Sequence, residues 1–82
     1  MALWIEKKQG NGETVVILEG WLGGPEVAEV ARVCQDTEGR ICLELSKVQS
    51  VDSQGAALLR VLASEGVVLS GLTPYVELLL AV

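Results

Sequence analysis

The pattern of apolar residues predicts one α/β domain: a four-stranded, mostly parallel mixed sheet with three helices, in the order ββαβαβα. Three observations carry that expectation. Two β-rich runs flank "QGNG", a segment suited to a tight reversal. The apolar period then switches from two residues to that of a helix, and back, twice more. Finally, two of the helical segments open on a proline, at Pro25 and Pro74, the residue best tolerated in a first turn.

Taken in order, "LWIEKK" and "ETVVILEG" make the hairpin, with Gly10, Asn11 and Gly12 able to take positive φ at its turn. In "GGPEVAEVARVCQDTEG", Val27, Val30, Ala31 and Cys34 recur at helical spacing, Glu26 suits the helix N-terminus, and Gly39 ends the segment. "RICLELSKV" alternates again, with Ile41, Leu43 and Leu45 on one side. "VDSQGAALLRVLASEG" is helical, with Leu58, Leu59 and Leu62 as its core stripe and Gly66 as its stop. "VVLSGL" reads as a short buried strand, and "TPYVELLLAV" as a helix capped by Thr73. Strand-helix-strand units of this length favour a parallel stack, with the first strand antiparallel at its edge.

Composition narrows the function. At 82 residues there is room for one domain, residues 1 to 82, without linker or repeat. Half the residues are apolar but none is Phe, so Val, Leu, Ile and Ala must build the core, with Trp4, Trp21 and Tyr75 as bulky exceptions. A mean hydropathy of +0.43 leaves apolar surface over for a partner. No apolar run reaches the roughly 18 residues of a membrane span, and no basic segment followed by an apolar run opens the chain. A cytoplasmic protein with no direct membrane insertion is expected. A net charge of −5 with scattered Lys and Arg opposes nucleic acid and anionic membranes. Cys34 and Cys42 lack a CxxC spacing and the chain has no His, so buried reduced thiols are expected, with no metal and no cofactor.

The run "ICLELSKVQSVDSQGAALLRVLASEGVVLSGLTPYVELLL", residues 41 to 80, resembles the STAS domain. That module is shared by bacterial anti-sigma factor antagonists and transporter-associated regulators. The family pattern is an apolar strand with an acid and "LS", an aspartate-serine-serine/threonine-glycine turn, a leucine-rich helix, a strand, and a serine-proline helix start. Here these read "LELS", "VDSQG", "AALLRVL", "VVLSGL" and "TP", and upstream "VVILEGWLGGPEVAEV" is similar to the family's second strand and first helix. The resemblance implies a STAS-like superhelix of βα units. It also implies a protein partner: an anti-sigma factor kinase-like protein, or the ATPase of an ABC-type lipid transporter. Two departures stand out. The residue two after the aspartate, phosphorylated in the family, is Gln54, which cannot accept phosphate. The helix after the motif is shorter than the family's and the chain stops within the last helix, so surfaces there are expected to differ.

The partner-binding residues expected from this reading are Asp52, Ser53, Gln54, Gly55 and Trp21. Asp52 or Ser53 can cap the following helix through a side-chain oxygen. Phosphate on Ser53 would be welcomed by a helix N-terminus but repelled by Asp52 and by Glu44, and the motif register opposes it too. The Gln54 amide offers a neutral donor and acceptor, as a permanently unphosphorylated site would. Gly55 serves either close packing or close approach of a partner. Trp21 is either a core plug or an interface aromatic beside the turn. "GWLGGP" lacks the spacing and the Lys of a phosphate loop, so its glycines read as a turn into the first helix. No catalytic residue is assigned, since Asp52 with Glu44 is the only acid/base pair in reach and neither has a defined pocket.

The last helix carries two apolar stripes: Val76, Leu79 and Leu80 on one side, Tyr75, Leu78 and Val82 on another. One sheet covers one stripe. Each large apolar side chain left in water forgoes about 1.5 to 3 kcal/mol, so a second copy covering Tyr75, Leu78 and Val82 is expected, giving a homodimer. A self-associating domain with no switch role is the remaining alternative.

Overall fold

A computed structural model describes residues 3–81. Strands β1 (Leu3–Gly10) and β2 (Glu13–Leu22) form the hairpin, followed by α1 (Glu26–Gln35), β3 (Arg40–Val51), α2 (Ser53–Ser64), β4 (Val68–Ser70) and α3 (Pro74–Leu80). The sheet runs β1-β2-β3-β4, with β1 antiparallel to β2 and the other pairs parallel. The element order and the mixed sheet are those expected.

Val16 and Leu18 of β2 and Leu43 and Leu45 of β3 share one buried cluster with Val30 of α1, Leu59 and Leu62 of α2 and Val76 of α3. All three helices therefore cover the same face of the sheet. The intervening residues, among them Val15, Ile17, Cys42 and Glu44, are only half-buried on the opposite, uncovered face. Val68 of β4 shares that face and is 54% exposed, so β4 is a sheet edge rather than the buried strand expected. Cys42 departs from the expected burial for the same reason. Cys34 lies in the core as a free thiol, and burial raises its pKa, with Glu65 adding to the effect and Lys7 opposing it.

β3 runs well beyond the expected "RICLELSKV", reaching Val51. Its register against β2 slips twice: Ile17 pairs Glu44 but Glu19 pairs Lys47, and Gly20 pairs Val48 but Trp21 pairs Ser50. Each slip inserts one extra residue into β3, so its 12 residues run beside the 10 of β2. The bulges turn Val48 and Val51 onto the core side, where both are buried.

The helix ends show which local signals decide. In the hairpin only Gly12 takes a positive φ, +77°, while Gly10 stays in β1 opposite Glu13. Pro25 is the N-cap of α1 rather than its first residue, and the helix ends at Asp36, three residues short of Gly39. Thr37 turns the chain back there: its N–H donates to the Cys34 carbonyl at 3.2 Å and its hydroxyl to the Val33 carbonyl at 2.7 Å. α2 stops in a Schellman arrangement, with Gly66 at φ +98°, its N–H on the Ala63 carbonyl, and the Val67 N–H on the Leu62 carbonyl. α3 opens as expected, the Thr73 hydroxyl accepting from the Val76 N–H at 3.3 Å. Among the described residues no helix is long and apolar enough to cross a membrane.

Candidate functional site

The turn between β3 and α2 lies where the C-terminal ends of β2 and β3 meet the starts of α1 and α2. The Asp52 N–H donates to the Leu22 carbonyl at 3.1 Å, which seats the turn on the end of β2. Asp52, in extended backbone, is the N-cap of α2: its Oδ1 accepts from the Gly55 N–H at 2.8 Å. Its Oδ2 accepts from the Gly24 N–H at 3.0 Å, 28 residues earlier. One carboxylate thus holds the starts of two helices.

The glycines of "WLGGP" follow from that contact. Gly24 sits at φ +52°, and a Cβ on Gly23 would collide with the Asp52 carboxylate. They form the turn into α1, as the sequence suggested, but their shape is dictated by Asp52. No short-range pattern carries that pairing, because its two halves lie in turns 28 residues apart, each following a different strand.

Of the expected site residues, Ser53 is not the cap; it is the first residue of α2 and its side chain is exposed. Gln54 is exposed beside it. Gly55 is buried, and a Cβ there would run into the Leu22 carbonyl oxygen and lie 3.0 Å from Val51 Cγ1. Its role is close packing of α2 on β2, and it presents no surface to a partner. Trp21 is not a core plug: it is 43% exposed and rims a cleft of about 200 Å³ with Gly23, Pro25, Glu26, Ser50 and Asp52.

Glu44 and Asp52 do not form a pair. Asp52 follows the end of β3 while Glu44 sits inside it opposite Ile17, most of a strand length away at about 3.3 Å per residue. Glu44 has partners of its own: Oε1 accepts from the Ser46 N–H at 2.9 Å in the first bulge, and Oε2 accepts from the Ser70 hydroxyl at 3.1 Å. The Cys42 thiol in turn donates to the Ser70 hydroxyl at 3.5 Å. Ser46, through hydroxyl and N–H, is the main reason the Glu44 carboxyl lies below its ordinary 4.5, with smaller help from Ser70 and Lys47 against some desolvation. A lowered pKa means stability that is complete above the unfolded value and fades as pH falls through the folded one. In urea titrations, the stability gap between wild type and Glu44→Gln is therefore expected to be constant near neutrality and to narrow below about pH 4.5. A gap that widens on acidification would contradict this.

Beyond the turn, Gln54 and Gly24 stand at one end of an open groove between α1 and α2, about 460 Å³, whose walls are Val27, Ala28, Ala57, Leu58 and Val61. Leu58, expected on the core stripe of α2, is half-buried at the groove wall. Val27, expected on the core stripe of α1, is likewise half-buried and lines the groove, while Ala57 and Val61 fall just off the core stripe of α2. On α3, Leu78 is 71% exposed, and the Tyr75 hydroxyl donates to the Val51 carbonyl at 3.4 Å while the residue stays half in water. Val82, the third member of that stripe, lies outside the described residues. No protein-family model and no curated protein matches this chain.

Proposed function

We propose that this chain is a STAS-like, non-catalytic binding module of the cytoplasm that engages a protein partner through the start of α2. The contact surface comprises Asp52, Ser53 and Gln54, the Trp21 rim, and the adjoining α1–α2 groove. One observation carries the reading: Gln54, at the position that the family resemblance gives to the phosphorylated hydroxyl, is exposed at the end of an apolar groove. A partner can lay apolar side chains along Val27, Ala57 and Val61 and read the neutral amide at the end. The partner proposed first is an anti-sigma factor kinase-like protein, bound without a phosphate off-switch. The ATPase of an ABC-type lipid transporter is the second.

Incubation with a kinase of that family and ATP, followed by phosphate mapping, tests the lost switch. Wild type is expected to stay unmodified, and Gln54→Ser to gain phosphate at residue 54. Stoichiometric phosphoserine at Ser53 in the wild type would overturn the reading.

The exposure of Leu78 supports a rival mode of self-association, exclusive of any other two-fold contact, in which Tyr75 and Leu78 of α3 meet their copies. The described part of that patch is small, two side chains on a helix of 7 residues.

A further inference from the structure

β1 and β4 are the two edges of the sheet, and they differ greatly in length: 8 residues against 3. A long free edge presents unpaired N–H and C=O groups to any strand that can match it. We propose that β1 pairs with β1 of a second copy, antiparallel about a two-fold axis at Lys7, so that Glu6 of each chain faces Lys8 of the other.

The register follows from the side chains. Residues directly opposite in an antiparallel pair share a face, so a two-fold contact must centre on one residue of β1. Centred on Glu6 it opposes Glu6 to Glu6, and centred on Lys8 it opposes Lys8 to Lys8. Centred on Ile5 it sets Trp4 against Glu6. The axis at Lys7 also opposes a like pair, Lys7 to Lys7, but it alone offsets that contact with two reciprocal pairs of opposite charge, Glu6 with Lys8 and Lys8 with Glu6. The same register lays the indole of Trp4, 74% exposed, across Gly10 of the other chain, where no side chain obstructs it. Ile5 then faces Gln9.

Within the chain these charges are unmatched. Glu6 lies opposite Ile17 and Lys8 opposite Val15 in the hairpin, and the ion pair among the described residues is Arg32 with Glu29, elsewhere. Lys7 meets its copy at the axis on the helix side of the sheet, where it is exposed and its stem can splay into water. Backbone hydrogen bonds along the edge supply the affinity, and the Glu6–Lys8 pairs select the register. A generic strand would meet Lys8 as an obstacle, whereas a second copy offers Glu6 to it.

A chain using both this edge and α3 as two-fold contacts would grow into an open polymer rather than a closed dimer, so experiment must separate them. Sedimentation equilibrium at micromolar concentrations is expected to show a wild-type dimer. Glu6→Lys and Lys8→Glu, both at exposed positions, should each weaken it about tenfold to a hundredfold. An equimolar mixture of the two variants should associate again, each supplying the charge the other lost. Leu78→Glu should leave the dimer intact. A monomeric wild type, a dimer indifferent to both charge reversals, a mixture that stays monomeric, or a dimer abolished by Leu78→Glu would each overturn the proposal.

Discussion

Gly55→Ala is expected to lower the unfolding free energy by about 1 to 3 kcal/mol, a large part of the stability of a domain this small. In an exposed helix the same change would stabilise by about 1 kcal/mol, because alanine is the better helix former. Here the added methyl meets the Leu22 carbonyl oxygen, a backbone atom in a paired strand, with Val51 Cγ1 behind it. Neither can swing aside like the end of a flexible side chain. Relief requires α2 to move off β2, yet Leu59 and Leu62 are packed into the core on that same helix. The movement also strains the Asp52 N–H bond to the Leu22 carbonyl, which holds the turn. Overpacking at about 1 to 3 kcal/mol and a weakened hydrogen bond at about 1 kcal/mol together outweigh the propensity gain. Thermal melts should fall by roughly 5 to 20 °C. Gly10→Ala, measured at concentrations where the chain is monomeric, is the control: nothing within the chain lies within 4 Å of a Cβ there, and stability should stay within about 0.5 kcal/mol. A Gly55→Ala melt at or above wild type would mean that α2 is free to shift, and the close approach would lose its structural role.

The elements were readable from the sequence wherever one period held across the segment. Ile41, Leu43 and Leu45 alternate and are all buried; Leu59 and Leu62 recur at helical spacing and are buried too. Thr73 and Pro74 announced α3 because a cap is a local matter. What could not be read needed two strands at once. Leu45, Val48 and Val51 are spaced three apart, which fits no straight strand, and only the two bulges against β2 put them on one face. The uncovered face of the sheet was hidden as well, since Val15, Ile17 and Val68 are as apolar as core residues. At the site, the position of the turn was legible from the Asp-Ser-Gln-Gly run and the helical stripe that follows it. The choice of Asp52 over Ser53 as cap was not, because either residue type serves. It is settled by Gly24, whose N–H donates to the second carboxylate oxygen that a serine lacks.

That second oxygen leads to the other large effect. Asp52→Ala is expected to cost about 2 kcal/mol, since it removes the α2 cap and the tie to Gly24 together. The cost stays moderate because Asp52 is exposed and water can reach the abandoned N–H groups. Asp52→Ser separates the two roles. A serine can still cap α2 but has one oxygen, so it keeps the bond to Gly55 and drops the one to Gly24; about half the loss should be recovered. Amide hydrogen exchange reads the same division residue by residue. In the alanine variant both Gly24 and Gly55 should exchange faster, whereas in the serine variant only Gly24 should. If the serine variant exposes both amides equally, the cap depends on the tie and the starts of α1 and α2 behave as one unit. If alanine leaves both protected, Asp52 does not organise the junction. Either way the measurement bears on the proposed binding surface, because Trp21 at the cleft rim and Gln54 at the groove mouth are held in relation to each other across this one carboxylate.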